Sequence, residues 1–241
     1  MPGYEKFKLK LICSEFSHAG MEMENTNSVS IQPITQLTAI NVAKILTILI
    51  LITLSIIFGV RDWRQVVYLC LHISYCLWWL IEQGIYPQRR EIIFNEPADT
   101  KVFISIVLFV GVFYSLPGYL AFTNPEPLGF IACSFALPLF IFGSLINAIA
   151  DVQKLTAKQY GADLIVDNIW RFARHINYFG DLLRYLSFSI VAGSLWAYLV
   201  PAVILLLYLQ RISQKEDSMA KKYPDYTDYQ EKTARLIPFI W

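Results

Sequence analysis

A chain of 241 residues in which 56% are hydrophobic and 16% charged is too apolar for an ordinary soluble domain, because such domains run at roughly 45–50% apolar and about 25% charged. A formal net charge of +1 argues against a nucleic-acid binder, which would carry a concentrated basic patch. Four cysteines (Cys13, Cys70, Cys76, Cys133) lie scattered without CxxC spacing, which supports neither a zinc site nor a disulfide framework and points to buried structural thiols. The composition predicts an all-α, polytopic integral membrane protein.

Residues 1–35 are polar and mixed, and their apolar pieces are too brief for a secretory signal. They read as a mobile cytoplasmic tail, with Met21 and Met23 as alternative starts, ahead of a single membrane domain over 36–241. About 20 apolar residues suffice to cross a bilayer, and 37–60 forms the first such span, uncharged from 45 onward, with Lys44 near enough to its end to snorkel. The second span, 65–86, is interrupted by His72, Glu82 and Gln83 and crowded at its end by Trp78, Trp79 and Tyr86. The tryptophans suit an interfacial aromatic belt as well as a ligand role, and His72 reads as a satisfied packing histidine. Glu82 differs. A carboxylate one turn inside an apolar helix needs a partner or a watery cavity, which makes it a site candidate.

A polar loop, 87–101, holds Arg89, Arg90 and Glu91. The third span, 102–122, has Pro117 and Gly118 placed to kink its end, which neighbouring helices in a membrane can accommodate. The turn Asn124-Pro-Glu-Pro predicts that the third span and the fourth, 128–150, are antiparallel neighbours. The last apolar stretch, 182–210, would reach about 43 Å as one helix at ~1.5 Å per residue, longer than a bilayer core of ~30 Å. Ala192-Gly193-Ser194 and Pro201 predict a break into two half-length helices, a re-entrant hairpin with Arg184 near its mouth, giving about six membrane helices.

Lysine and arginine concentrate in the loop after the second span, in the segment after the fourth and in the N-terminal tail, while the turn after the third span has none. By the positive-inside bias, both termini and the segment 170–181 face the cytoplasm. The C-terminal 211–241 carries six Lys or Arg and five Asp or Glu, which is no polybasic anchor. The spacing of Tyr223, Tyr226 and Tyr229 and the closing Arg-Leu-Ile-Pro predict a folded cap laid over a site.

The segment 170–181, WRFARHINYFGD, concentrates the chemistry of the chain. With its neighbours it offers cations (Lys154, Lys158, Arg171, Arg174, Arg211), aromatic faces (Trp170, Tyr178, Tyr223) and acceptors (Asn177, Asp181, Glu216). Arginine forks bind phosphate oxygens bidentately and aromatic faces stack on bases, so the set suits a phosphate-bearing, ring-containing cofactor. No GxGxxG follows a predicted strand, and there is no P-loop, HExxH or serine elbow.

The run RFARHINYFGD resembles the RxxRHPNYxG(D/E) signature of the steroid 5-alpha-reductase and sterol-reductase superfamily of membrane enzymes. Asp151-Val-Gln-Lys154 resembles that superfamily's D/N-x-Q-K element, and Glu216 with the MAKKYPDYTDYQEKTARLIP run resembles its C-terminal ending. Two positions depart: Ile176 stands where proline is usual, and the element of Lys154 and Lys158 is shorter than in the sterol enzymes. The resemblance implies an NADPH-dependent reductase of a C=C bond in a lipid, steroid-like or isoprenoid substrate that enters from the bilayer. It implies phosphates held by Arg174, Lys154 and Arg211, and a nicotinamide ribose and carboxamide held by Asn177 and Asp181. Lys158, Trp170, Arg171, His175, Glu216 and Tyr223 complete the implied cofactor set. Tyr178 would position the ring or donate a proton, and Glu82 or a nearby tyrosine would polarise the substrate.

A cousin group, the isoprenylcysteine carboxyl and phospholipid methyltransferases, shares the RHPxYxG element but binds S-adenosylmethionine. Asn177, Tyr178 and Asp181 favour the reductases. A non-enzymatic lipid-binding or assembly protein on the same fold and a transporter are the remaining alternatives, and no inverted repeat of broken helices supports the transporter.

Overall fold

The structure, a computed structural model, describes residues 34–241. Most of the predicted tail, with Cys13, Met21 and Met23, lies outside the described residues. Eight helices follow in order: α1 Gln36–Phe58, α2 Trp63–Ile85, α3 Gln88–Phe94, α4 Thr100–Thr123, α5 Phe130–Gln159, α6 Ile176–Ala192, α7 Leu199–Lys222 and α8 Tyr226–Lys232. There is no strand among the described residues. Five helices (α1, α2, α4, α5, and α7 with the short turn before it) are long and apolar enough to cross a membrane. The protein is an all-α, multi-pass membrane protein.

Local chemistry sets the helix starts. Thr35 accepts from the Thr38 amide at α1, and Asp62 and Gln65 form a reciprocal capping box at α2. Along α5, Leu137, Ile141, Phe142, Leu145 and Ile149 stay exposed while Gly143, Asn147, Ala150 and Asp151 are buried. That is one lipid-facing stripe and one protein-facing stripe at helical spacing.

The buried stripe of α5 packs against α6 at close range through two glycines. A Cβ on Gly143 would stand 2.5 Å from the Gly180 carbonyl oxygen, and one on Gly180 would stand 2.7 Å from that of Gly143. Small residues of this kind let membrane helices approach through their backbones. Gly143→Ala or Gly180→Ala is expected to cost roughly 1–3 kcal/mol by overpacking. A lowered thermal midpoint in detergent checks this, and an unchanged midpoint would contradict the close approach.

At the end of the bundle remote from α8, Arg64 donates to the carbonyls of Glu126 (3.0 Å), Pro127 (3.1 Å) and Val191 (2.6 Å). Asp62 accepts from the Leu128 amide at 2.7 Å. The amides of Leu128 and Arg64 hold its carboxyl below the usual carboxylate range. One arginine thereby ties the 124–128 turn to the hairpin turn, where Gly193 adopts φ +65°, and a Cβ there would strike the guanidinium.

Several expectations need correction. The third and fourth spans do not pair with each other: α4 packs on α1, and α5 packs on α6. The reason is that the turn between them is held to the start of α2. The irregular part of α4 lies before Pro117, as a π segment Val107–Val112 followed by a 3-10 turn Phe113–Ser115. Pro117 has no N–H to return to Phe113 and disturbs the preceding turn. The hairpin breaks at Gly193 as predicted, but its arms exceed half-length: α6 begins at Ile176, and α7 runs through Pro201 to Lys222. Pro201 falls in the first turn of α7, where its missing N–H costs nothing. The 87–101 loop contains α3. Of the described cysteines only Cys76 is buried, while Cys70 is exposed and Cys133 intermediate.

Lys44 does not snorkel. It is 2% exposed, held under the rings of Tyr75, Trp79 and Tyr114. His72 is a packing residue, stacked on Phe188 at 4.5 Å, with Nδ1 2.9 Å from the Tyr68 hydroxyl.

Candidate functional site

The 170–181 segment changes conformation halfway along. Asn168–Arg171 is a 3-10 turn, and the amides of Arg174 and His175 then donate to the carbonyls of Ala234 and Arg235 at 2.9 and 3.1 Å. At Ile176 the chain enters α6. From there Asn177, Asp181 and Arg184, four and three residues apart, fall on one helical face with Tyr178 and Tyr185 beside them. That face lines a cavity of about 990 Å³ bounded by α1 to α7, with Arg90 and Phe94 contributed by α3. From Ile204 to Ser218 the cavity follows α7 over fifteen residues, a rise of about 21 Å at ~1.5 Å per residue.

The cavity changes character along its length. Its mouth holds Lys154, Lys158, Arg211 and Lys215. Next come Asn177, Tyr178 and Asp181. The Asn177 amide donates to Asp151 at 3.2 Å, Lys215 donates to the Tyr178 hydroxyl at 2.7 Å, and Tyr178 stacks on Tyr208 at 4.3 Å. Tyr208 donates to Asp181 at 3.0 Å, and Arg184 forms an ion pair with the same carboxylate. Deepest is a chamber walled by Tyr75, Tyr114 and Tyr185, with the Tyr75 and Tyr185 hydroxyls 3.2 Å apart. Lys44 Nζ lies 4.1 Å and the Arg184 guanidinium 4.3 Å from the centre of the Tyr75 ring.

The sequence-predicted residues divide between this cavity and its frame. Lys154, Lys158, Asn177, Tyr178, Asp181 and Arg211 line it. The others do not. Arg174 donates to Glu216 at 3.0 Å and to the carbonyls of Gln230 (2.8 Å) and Thr233, while Arg235 donates to the other Glu216 oxygen at 2.9 Å. These contacts clamp the C-terminal cap onto the 170–181 segment, together with buried Tyr226, Tyr229 and Leu236. Trp170 lies beneath α5, donating to the Ala150 carbonyl at 3.2 Å, and Tyr229 donates to its carbonyl at 2.6 Å. Arg171 is exposed over the Phe172 ring. Tyr223 meets the mouth only through Lys158, 3.3 Å from its hydroxyl. Glu82 is taken up by Arg89 and Arg90, both buried, and is not among the lining residues.

His175 Nε2 stands 3.4 Å from Glu216 yet has no hydrogen-bond partner among the described residues. Burial lowers its pKa from 6.5 to about 4 despite the pull of Glu216. Between those values the unfolded chain binds a proton that the folded chain does not, so stability falls as pH drops from 6.5 towards 4. The thermal midpoint should decline across that window in the native chain and less steeply in His175→Asn. Equal slopes would refute the assignment.

Sequence reasoning missed Lys44, Tyr75, Tyr114, Tyr208 and Lys215 as lining residues. The spacing of Tyr178 and Tyr185, seven residues apart and so on one helical face, was a usable signal. The tyrosines of α2 and α4 gave none.

The family model described as "Protein of unknown function (DUF1295)" matches residues 25–233. A Delta(14)-sterol reductase of Arabidopsis thaliana is 25% identical over 213 residues, covering 80% of this chain and 58% of its own length. The Delta(14)-sterol reductase TM7SF2 of Mus musculus is 27% identical over 150 residues, covering 53% of this chain and 35% of its own length. The chain therefore spans little more than half of the first of these curated relatives and about a third of the second.

Proposed function

We propose that this chain, which belongs to the DUF1295 family, is a membrane-embedded, NADPH-dependent reductase of a C=C bond in a lipid, steroid-like or isoprenoid substrate. The reading draws on the sterol reductases it resembles. One observation carries it: a single cavity joins a four-cation mouth to a tyrosine-walled chamber among membrane helices. A phosphate-bearing nucleotide fits the mouth and an apolar substrate fits the chamber. By the lysine and arginine bias of the loops, the mouth faces the cytoplasm.

Taken in order along the cavity, the donor set would suit a dinucleotide. Lys154, Lys158, Arg211 and Lys215 would hold phosphates by charge-assisted hydrogen bonds. Asn177 and Asp181 would take the ribose and carboxamide, and the Tyr178–Tyr208 stack would flank the ring. Bound there, NADPH supplies the hydride, and the protein supplies orientation and the proton. Arg184 holds Asp181 in place, and the Tyr75–Tyr185 hydroxyl pair would supply the proton. Arg174, His175, Trp170 and Glu216 act as the brace that fixes the start of α6. Arg171 and Tyr223 sit at the rim, and Glu82 holds Arg89 and Arg90.

Thermal-shift titration of the detergent-purified chain tests the reading. NADPH is expected to raise the midpoint and S-adenosylmethionine to leave it unchanged; the reverse result would assign the methyltransferase. Arg211→Met removes a mouth cation that makes no hydrogen bond or ion pair with the described residues. It is expected to weaken NADPH about tenfold without loss of stability.

A further inference from the structure

Residues 236–241, LIPFIW, carry no charged or hydrogen-bonding side chain apart from the Trp241 indole. They close into a turn on the cap. The amides of Leu236 and Ile237 both donate to the Trp241 carbonyl, at 2.7 and 2.6 Å, and the Ile240 amide donates to the Ile237 carbonyl at 3.1 Å. Phe239 takes φ +65°, which a bulky side chain adopts only where the surrounding structure imposes it. The turn is therefore built, and it turns its side chains outward. Phe239 is 86% and Ile240 80% exposed, with Ile237 and Trp241 exposed beside them. A contiguous apolar patch of this kind marks a surface that meets something other than water.

Two helices fix the level of this turn. Leu236 packs on Ile212 of α7, Leu205 lies against the same cluster, and Arg235 donates to the Ser213 hydroxyl at 3.2 Å. The apolar run of α7 ends at Leu209, between those contacts. From α5 the level is the same. Trp170 donates to the carbonyl of Ala150, the last residue of the apolar run before Asp151, and Phe172 meets Phe239 edge-on at 5.7 Å. Ile149 and Val152 of α5 are exposed at this level too, so the patch continues the lipid-facing surface of the bundle. Arg171 stands 4.8 Å from the centre of the Phe172 ring and makes no hydrogen bond or ion pair among the described residues. Arg235 lies 5.5 Å from the Trp241 ring while paired with Glu216. Apolar side chains, a tryptophan and an arginine at the edge of the hydrocarbon are the make-up of a membrane interface.

We propose that the 236–241 turn is a membrane anchor, inserted into the phospholipid interface on the cap's side of the bilayer. Phe239 and Ile240 enter the boundary between headgroups and acyl chains, Trp241 lies at headgroup level, and Arg171 meets a lipid phosphate. The cap is then held from two sides, by Arg174 and Glu216 from within and by the bilayer from without. Because the same cap braces the start of α6, the membrane supports the cavity wall through it. The anchor is independent of what the cavity binds.

The test uses the full chain in phosphatidylcholine nanodiscs, with a fluorescent amino acid placed at Ile240 or, as a control, at Asp217. Asp217 is exposed on α7, eight residues beyond Leu209, about 12 Å further out at ~1.5 Å per residue. The label at Ile240 should be quenched by a nitroxide carried on the upper acyl chain and shielded from aqueous iodide, and the label at Asp217 the reverse. Iodide reaching Ile240 as readily as Asp217 overturns the anchor. Shielding from iodide without quenching by the lipid nitroxide also overturns it, and assigns the patch to a protein surface such as a second copy of the chain. A second measurement needs no label. Phe239→Ser with Ile240→Ser removes most of the inserted apolar area, so trypsin should cut after Lys232 about tenfold faster in nanodiscs. The thermal midpoint in detergent should stay near that of the native chain, since both side chains are exposed. An unchanged cleavage rate in nanodiscs, or an equal acceleration in detergent, counts against the anchor. Ile240→Ser alone replaces the double variant if the latter does not fold.

Discussion

Arg89→Met is expected to cost about 3–5 kcal/mol of stability, because it leaves a buried carboxylate without its cation. The Arg89 side chain is 1% exposed and ties α3 to two other helices. It pairs with Glu82 of α2, donates to Asp151 of α5 at 3.2 Å from Nε and 3.0 Å from Nη2, and donates to the Asn147 amide oxygen at 2.7 Å. Arg90 also serves Glu82, at 2.6 and 3.0 Å, so Glu82 keeps one partner when Arg89 is lost. Asp151 keeps only the Asn177 amide. Arg89→Met with Asp151→Asn should therefore recover a large part of the loss, which a double-mutant cycle on thermal or denaturant unfolding would measure. The effect should also reach the site. Asn147 donates to the Asn177 carbonyl at 3.2 Å, so the network sets the first turn of α6, and NADPH affinity should fall with stability. A cost below about 1 kcal/mol in the single variant, in the range of an exposed pair, would mean that water reaches Asp151.

This network also shows where the sequence was legible. The long apolar runs announced α1, α2, α4 and α5, since a bilayer demands about 20 apolar residues whatever surrounds them. The hairpin break was readable from Gly193. The segment that forms α3, QRREIIF, reads as a polar loop because its reason for being helical is tertiary: it delivers two arginines to carboxylates on α2 and α5. The end of α7 was misjudged for a related reason. Beyond Gln210 the helix is polar, and only Ile212 and Glu216 are buried there, each held by the cap.

The site followed the same division. The motif announced itself as one polar cluster, but a linear run does not reveal that the chain turns at His175, with φ −123° and ψ 41°. Arg174 consequently faces the cap and His175 faces Glu216 of α7, while Asn177, Tyr178 and Asp181 face the cavity. Glu82 looked like a group in need of a ligand, and its partners lay seven and eight residues further along the chain. Lys44 looked like a snorkelling lysine, because the rings that receive it come from α2 and α4.

If the chain is the reductase proposed above, Tyr75→Phe slows C=C reduction by ~10²–10⁴-fold, the range for a lost general acid. Phenylalanine keeps the ring, so the contacts of Lys44 and Arg184 with its face and the packing on Phe188 survive, and stability should change little. What disappears is the hydroxyl 3.2 Å from that of Tyr185. Both cations stand against the Tyr75 ring, so a negative charge left there on proton release would be met by positive charge on two sides. Tyr185 has no such pair of cations, and Tyr185→Phe should therefore slow the reaction less. Single-turnover oxidation of NADPH in the presence of cholest-4-en-3-one gives the rate, and thermal-shift titration should find NADPH affinity within about twofold of the native chain, as expected for a group that acts on the proton and leaves the nucleotide alone. A larger fall in Tyr185→Phe would exchange the two roles. A fall below about tenfold in both variants, short of the range for a general acid, would remove the phenol pair as the proton source and turn attention to the Asp181–Tyr208 pair next along the cavity.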